Sequence, residues 1–237
     1  MGELTFYKKN GQFYVMKKPG NNRQRILEDP KFEATRKNSA DFGRACSFAK
    51  NIRHALAGQL AESTDGGMVG RLNGVMGRVL SSDPVNERGS RGLLHGNISL
   101  LKDFEFNKNC PLSYIFPGTI TASLEPGRSF AYIAIPSFIP TQSLKAPPGT
   151  THYQVLTGTA CIDAFTGTCT ADTQETDALP YDETVTAALG LVNTVAPVVV
   201  QSKYLIVAGI RFYQTVSGVL YRLKDKAFSG VKVVGVG

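Results

Sequence analysis

Tryptophan is absent from the 237-residue chain, and histidine and cysteine are scarce, at three and four residues. Without tryptophan, a sugar-stacking platform would have to rest on tyrosine or phenylalanine. With so few imidazoles and thiols, metal and thiol chemistry has little to draw on. The matching motifs are missing too: there is no CxxC, no HExxH and no EF-hand loop. His54, His95 and His152 lie far apart and read as surface or structural groups. A GxSxG nucleophile elbow does not occur. No pair of carboxylates is spaced suggestively for glycosidic cleavage. GGMVGRLNG holds glycines but lacks the Lys-Ser/Thr of a phosphate loop, so it reads as helix packing. The sequence therefore points to no catalytic residue, metal, cofactor or small-molecule substrate.

Long apolar runs are also missing. None reaches the ~18 residues of a membrane helix, which predicts no membrane partner. The opening MGELTFYKKNGQFYVMKK has no apolar h-region. That predicts synthesis as a cytoplasmic protein, with release or assembly afterwards. With no oxidising destination indicated, Cys161 and Cys169, which flank a turn, are expected as free thiols. Cys46 reads as a small buried apolar group.

What is present is a core and an uneven charge. Hydrophobic residues make up 42% of the chain, which excludes bulk disorder. Residues 1–58 carry 12 basic and 5 acidic side chains, whereas the rest of the chain is neutral in sum. Between Lys145 and Lys203 there is no basic residue but there are six acids: Asp163, Asp172, Glu175, Asp177, Asp182 and Glu183. A basic start and an acidic stretch can meet within one subunit or between two.

The element pattern begins with a β-hairpin over residues 4–18. LTFYKK and QFYVMKK flank Asn10-Gly11, a dipeptide suited to a type I′ turn. Both faces of this hairpin carry large apolar groups, and a lone two-stranded hairpin is marginal in water. It should therefore lie on its own body or on a neighbour. Asp29-Pro30 predicts a helix start, with Asp29 as N-cap. Phe32, Thr35, Ser39, Phe42, Cys46, Ala49, Ile52 and Leu56 form the expected buried stripe. A second helix is predicted over about 65–80, with Met68, Leu72, Val75, Met76, Val79 and Leu80 inward. Gly70 and Gly74 share one face there and suggest a closely approaching backbone. Residues 84–118 read as an ordered connector.

From about 119 the pattern becomes β. Glu125-Pro126-Gly127-Arg128 has the signature of a type II turn, and Thr166-Gly167 marks another hairpin. KYLIVAGIRFYQ, the most apolar strand, is expected to be central. Seven or eight short strands with regular turns predict an antiparallel sandwich. The fold class is thus α+β: an N-terminal β-hairpin and two-helix segment over 1–110, then a β-sandwich of about seven strands over 111–237.

LTFYKKNGQFYVMKK, ILEDPKFEATRKNSADFGRA, LLKDFEFN and HYQVLTGTACIDAFTGTCTADT give the chain a resemblance to an uncharacterised protein family of Bacteroidota. The order of hairpin, helical middle and β-sandwich is similar to a second such family. The resemblance implies a single architecture and a bacterial origin. It implies no activity and no site residues.

Three functions follow as expectations. The first is a non-enzymatic structural protein that assembles with itself into a filament, tube or shell, perhaps phage-like. Its expected interface joins Phe6, Tyr7, Phe13, Tyr14, Arg23 and Arg25 of the basic end to Asp172, Glu175 and Asp177. The final strand, with Val231, Val233 and Val234, would supply a pairing edge. The second is a nucleic-acid-associated protein, in which Lys8, Lys9, Lys17, Lys18, Arg23 and Arg25 neutralise phosphates while the interleaved rings stack on bases. The third is an enzyme or sugar-binding module with a cleft at loop 136–150, resting on fold analogy alone.

Overall fold

The computed structural model describes residues 4–17, 23–127, 129–195 and 201–237. The hairpin is formed by β1 (Leu4–Lys9) and β2 (Gln12–Lys17). Its turn is made by Asn10 at φ 52° and Gly11 at φ 84°. Two successive positive φ angles match the twist of the flanking strands, and glycine takes one at no steric cost. A short helix, α1 (Arg23–Glu28), follows. Asp29 then caps a single 3-10 turn at Pro30–Phe32, its carboxylate accepting from the Lys31 amide, and α2 (Glu33–Ala55) runs on from there. The elbow is fixed by the Arg36 guanidinium, which donates to the carbonyls of Ile26 at 2.7 Å and Asp29 at 3.0 Å.

The predicted stripe on α2 is buried only in its second half. Ala45, Phe48, Ala49 and Ile52 are sealed, whereas Phe42 is 60% exposed and Thr35 and Ser39 face water. The apolar spacing was continuous, but the surface that could cover it is not. α3 (Ala57–Leu60) and α4 (Met68–Ser81) complete the helical layer. All six residues expected inside α4 are buried. Its glycines correct the sequence expectation: a Cβ on Gly70, Gly74 or Gly77 would meet nothing within 4 Å. The close backbone approach to α4 lies instead at Gly96, where a Cβ would come within 2.7 Å of the Val79 carbonyl oxygen.

The remaining strands form two sheets. The larger holds β5 (His152–Asp163), β6 (Cys169–Glu175), β7 (Leu179–Pro180), β9 (Ser202–Val216), β10 (Val219–Arg222) and β11 (Gly230–Val236). β9 is central, with β5 along one side and β10 and β11 sharing the other. The smaller sheet is β3 (Thr121–Leu124), β4 (Phe130–Ile135) and β8 (Leu189–Thr194), in that order. Gly127 in the β3–β4 connection does not take the positive φ of a type II turn. Two more short helices, α5 (Leu112–Ile115) and α6 (Pro140–Ser143), lie in the connections.

Side-chain alternation along β5 and β9 assembles three layers. Leu156, Ala160, Ile162, Leu205 and Val207 face α2 and α4 in one core. Cys161, Tyr204 and Ile206 face Ala131 and Ile133 of the small sheet in another. This is a two-sheet β packing with helices on its far side, within an α+β fold. Side chains from 45–106 and from 156–233 share that first core, so a boundary near residue 110 does not separate two cores.

The last strand also departs from expectation. β11 pairs with β9 on one side, and residues 103–106 run along the other. Val233 N donates to Phe104 O at 3.0 Å, and Phe106 N to Val231 O at 2.9 Å. Val231 and Val233 are fully buried. Over residues 231–233 this stretch is an interior strand, and Val231 and Val233 are core residues. Val234 is half-buried and packs towards the small sheet.

Candidate assembly surfaces

The hairpin has two distinct faces, set by its register. Leu4, Phe6 and Lys8 share one face with Lys17, Val15 and Phe13. Thr5, Tyr7 and Lys9 share the other with Met16, Tyr14 and Gln12. On the first face Phe6 is 72% and Phe13 81% exposed, and the Lys8 ammonium sits 5.2 Å from the Phe13 ring centroid. On the second, Tyr7 and Tyr14 stack with centroids 5.5 Å apart. All twelve strand residues of the hairpin are exposed. Among the described residues, no other part of the chain covers either face of the hairpin.

The basic residues near it are partly engaged. Arg25 pairs with Asp29 at 3.2 Å and lies over the Phe32 ring, while Arg23 is exposed. The predicted acidic partners differ among themselves. Glu175 is held by Arg211, a nearly buried guanidinium that also donates to Gly58 O, so it braces the helical layer. Asp172 accepts from the Thr194 amide at 2.7 Å, at the edge of the small sheet. Asp177 is exposed between β6 and β7.

Two further apolar patches were not singled out from the sequence. One is the outer face of the small sheet, where Phe130, Tyr132 and Val192 are exposed. The other is the β9–β10 tip, with Val216, Val219 and Tyr221 on one face beside Arg222. SFAYIAI carries apolar residues at both alternating positions, and that was the available signal: one set had to face outward.

Concave chemistry is thin. A groove of about 530 Å³ lies between the connector, β3 and β11. Its Lys232 is paired with Asp103 at 2.8 Å. Nearby, burial pushes the Glu105 carboxyl up, although it accepts from the amides of Leu112 and Ser113. The three histidines sit on α2, the connector and β5. Among the described residues, no three His, Cys, Asp or Glu side chains gather as a metal site, and no helix is long and apolar enough to cross a membrane. All four cysteines are free. Cys161 pairs in register with Thr170 and Cys169 with Ile162, which puts the two thiols on opposite faces of the sheet. Burial, then the neighbouring Cys161, pushes the Cys169 thiol up to about 12.

No protein-family model matches the chain, and no curated protein matches it.

Proposed function

We propose that this chain is a non-enzymatic structural protein that assembles with copies of itself into a filament, tube or shell through its N-terminal hairpin. The observation that carries this is the hairpin's exposure on both faces. Fully burying a side chain such as Leu, Phe or Val contributes about 1.5–3 kcal/mol. Four of them on one face would give a gross gain of roughly 6–12 kcal/mol. Association itself costs an estimated ~4–15 kcal/mol in lost freedom. One such contact is therefore weak alone and suits an array in which it repeats. Val231 and Val233 take no part in this reading, because they are buried and residues 103–106 already pair with the strand there.

Deleting residues 1–22 tests the proposal by size-exclusion chromatography and negative-stain imaging. The expected product is a folded monomer in place of assembled full-length protein. Normal assembly of the shortened chain would overturn it, as would a full-length chain that stays monomeric at high concentration.

A second reading, nucleic-acid association, is favoured by Lys8 and Lys9 on a hairpin whose Phe6 and Phe13 rings are exposed; Lys18 lies outside the described residues. This reading predicts binding to single-stranded nucleic acid that weakens steeply with salt. Absence of binding at low salt eliminates it.

A further inference from the structure

Two Asn-Gly pairs occur in the chain, Asn10-Gly11 and Asn73-Gly74, and the fold treats them in opposite ways. We propose that Asn10 is a site of spontaneous deamidation, and that the isoaspartate formed there breaks the hairpin. The chemistry needs only water. The Gly11 backbone nitrogen gives up its proton and attacks Cγ of Asn10. The new C–N bond closes a five-membered succinimide, and the side-chain nitrogen takes up a proton and leaves as ammonia. Water then opens the ring at either carbonyl, to aspartate or to isoaspartate. Nothing is oxidised or reduced.

The turn meets each requirement of that reaction. Asn10 and Gly11 are exposed, and a Cβ on Gly11 would meet nothing within 4 Å, so no other element crowds the attacking nitrogen. The strand pairing ends at Lys9 and Gln12, which leaves the Gly11 amide outside the ladder. Ring closure also requires Asn10 to rotate out of its turn conformation, and a two-stranded hairpin exposed on both faces opens easily. Asn73 is the internal contrast. It lies within α4, where the Gly74 amide donates to the carbonyl four residues back and the backbone is held on both sides. The two products differ in effect. Aspartate before glycine still suits a type I′ turn. Isoaspartate adds one methylene to the main chain inside a two-residue loop, so Lys9 and Gln12 no longer meet in register. That this would also end assembly rests on the reading proposed above.

Ageing the full chain in warm, mildly alkaline buffer tests the inference. Peptide mass spectrometry reads amide-to-acid conversion at each asparagine, and labelling by an isoaspartate-specific methyltransferase reads the iso form. Asn10 should convert at least about tenfold faster than Asn73, because the helix must open before its amide is free. The cross-strand contact of Tyr7 with Tyr14 should fade in NMR spectra as the iso form accumulates. Asn10→Gly keeps a turn-forming pair without the reactive amide. It should gain no isoaspartate in the hairpin and keep both the tyrosine contact and any assembly through the ageing. Fresh Asn10→Asp, with the added charge but a normal backbone, should behave like the fresh unmodified chain. An Asn10 that stays intact, or converts no faster than Asn73, overturns the inference. So does an Asn10→Gly chain that loses its hairpin as fast as the unmodified one. A fresh full-length chain that never assembles overturns only the reading beneath, since mass spectrometry and the tyrosine contact still decide this one.

Discussion

Asp83, almost wholly buried just past the end of α4, accepts from the amides of Val85, Asn86 and Gly92 and from the Asn86 side chain. Burial alone would raise its pKa, but those four hydrogen bonds outweigh it and hold the carboxyl well below the usual 3.8. The unfolded chain therefore takes up this proton first as pH falls. The stabilisation is complete above about pH 5 and drains away below about pH 4, towards the depressed value. Asp83→Ala should cost about 2–4 kcal/mol in chemical denaturation at pH 7, and the loss should shrink in acid. Individual residues were legible where the chemistry was local. Asp29 before Pro30 announced an N-cap, and Asn10-Gly11 announced its turn. Asp83 gave no such signal, since its four donors come from a loop whose path the sequence does not spell out.

For whole elements, periodicity identified faces but not what covers them. α4 shows the favourable case, with every expected residue inside. α2 has the same spacing, yet Phe42 is exposed while Ala45 and Phe48, one position off the expected stripe, are buried. The glycines of α4 show a related gap: glycine signals backbone freedom, not the presence of a neighbour. Because Gly74 opens onto empty space, Gly74→Ala should stabilise the protein by about 0.5–1 kcal/mol. Calorimetry would register this as a melting temperature about 1–4 °C higher. A lower melting temperature would mean that something packs on that face after all. The hairpin was legible in its strands, register and turn, because two strands and a turn fold by short-range rules.

At the level of the molecule, the α+β class and the antiparallel sheets were legible, as was the central position of β9. The layering was not. It depends on pairings such as that of residues 103–106 with β11, which join segments more than a hundred residues apart. Those pairings turned a supposed free edge into core. They also predict that residues 111–237 expressed alone will not fold natively. Leu156, Ile162, Leu205 and Val207 would lose the helices that cover them. The fragment should bind a hydrophobic dye and lack sharp amide proton dispersion. A well-dispersed NMR spectrum from it would contradict the shared core.

The first half of α2 has a consequence for any array. It is clamped along the 88–91 loop, where Arg44 donates to the carbonyls of Gly89 and Arg91 and Asp41 accepts from the Gly89 amide. A neighbour pulling on a hairpin N-terminal to this helix would load that loop. A lattice built through such hairpins would pass tension straight into the body of each subunit.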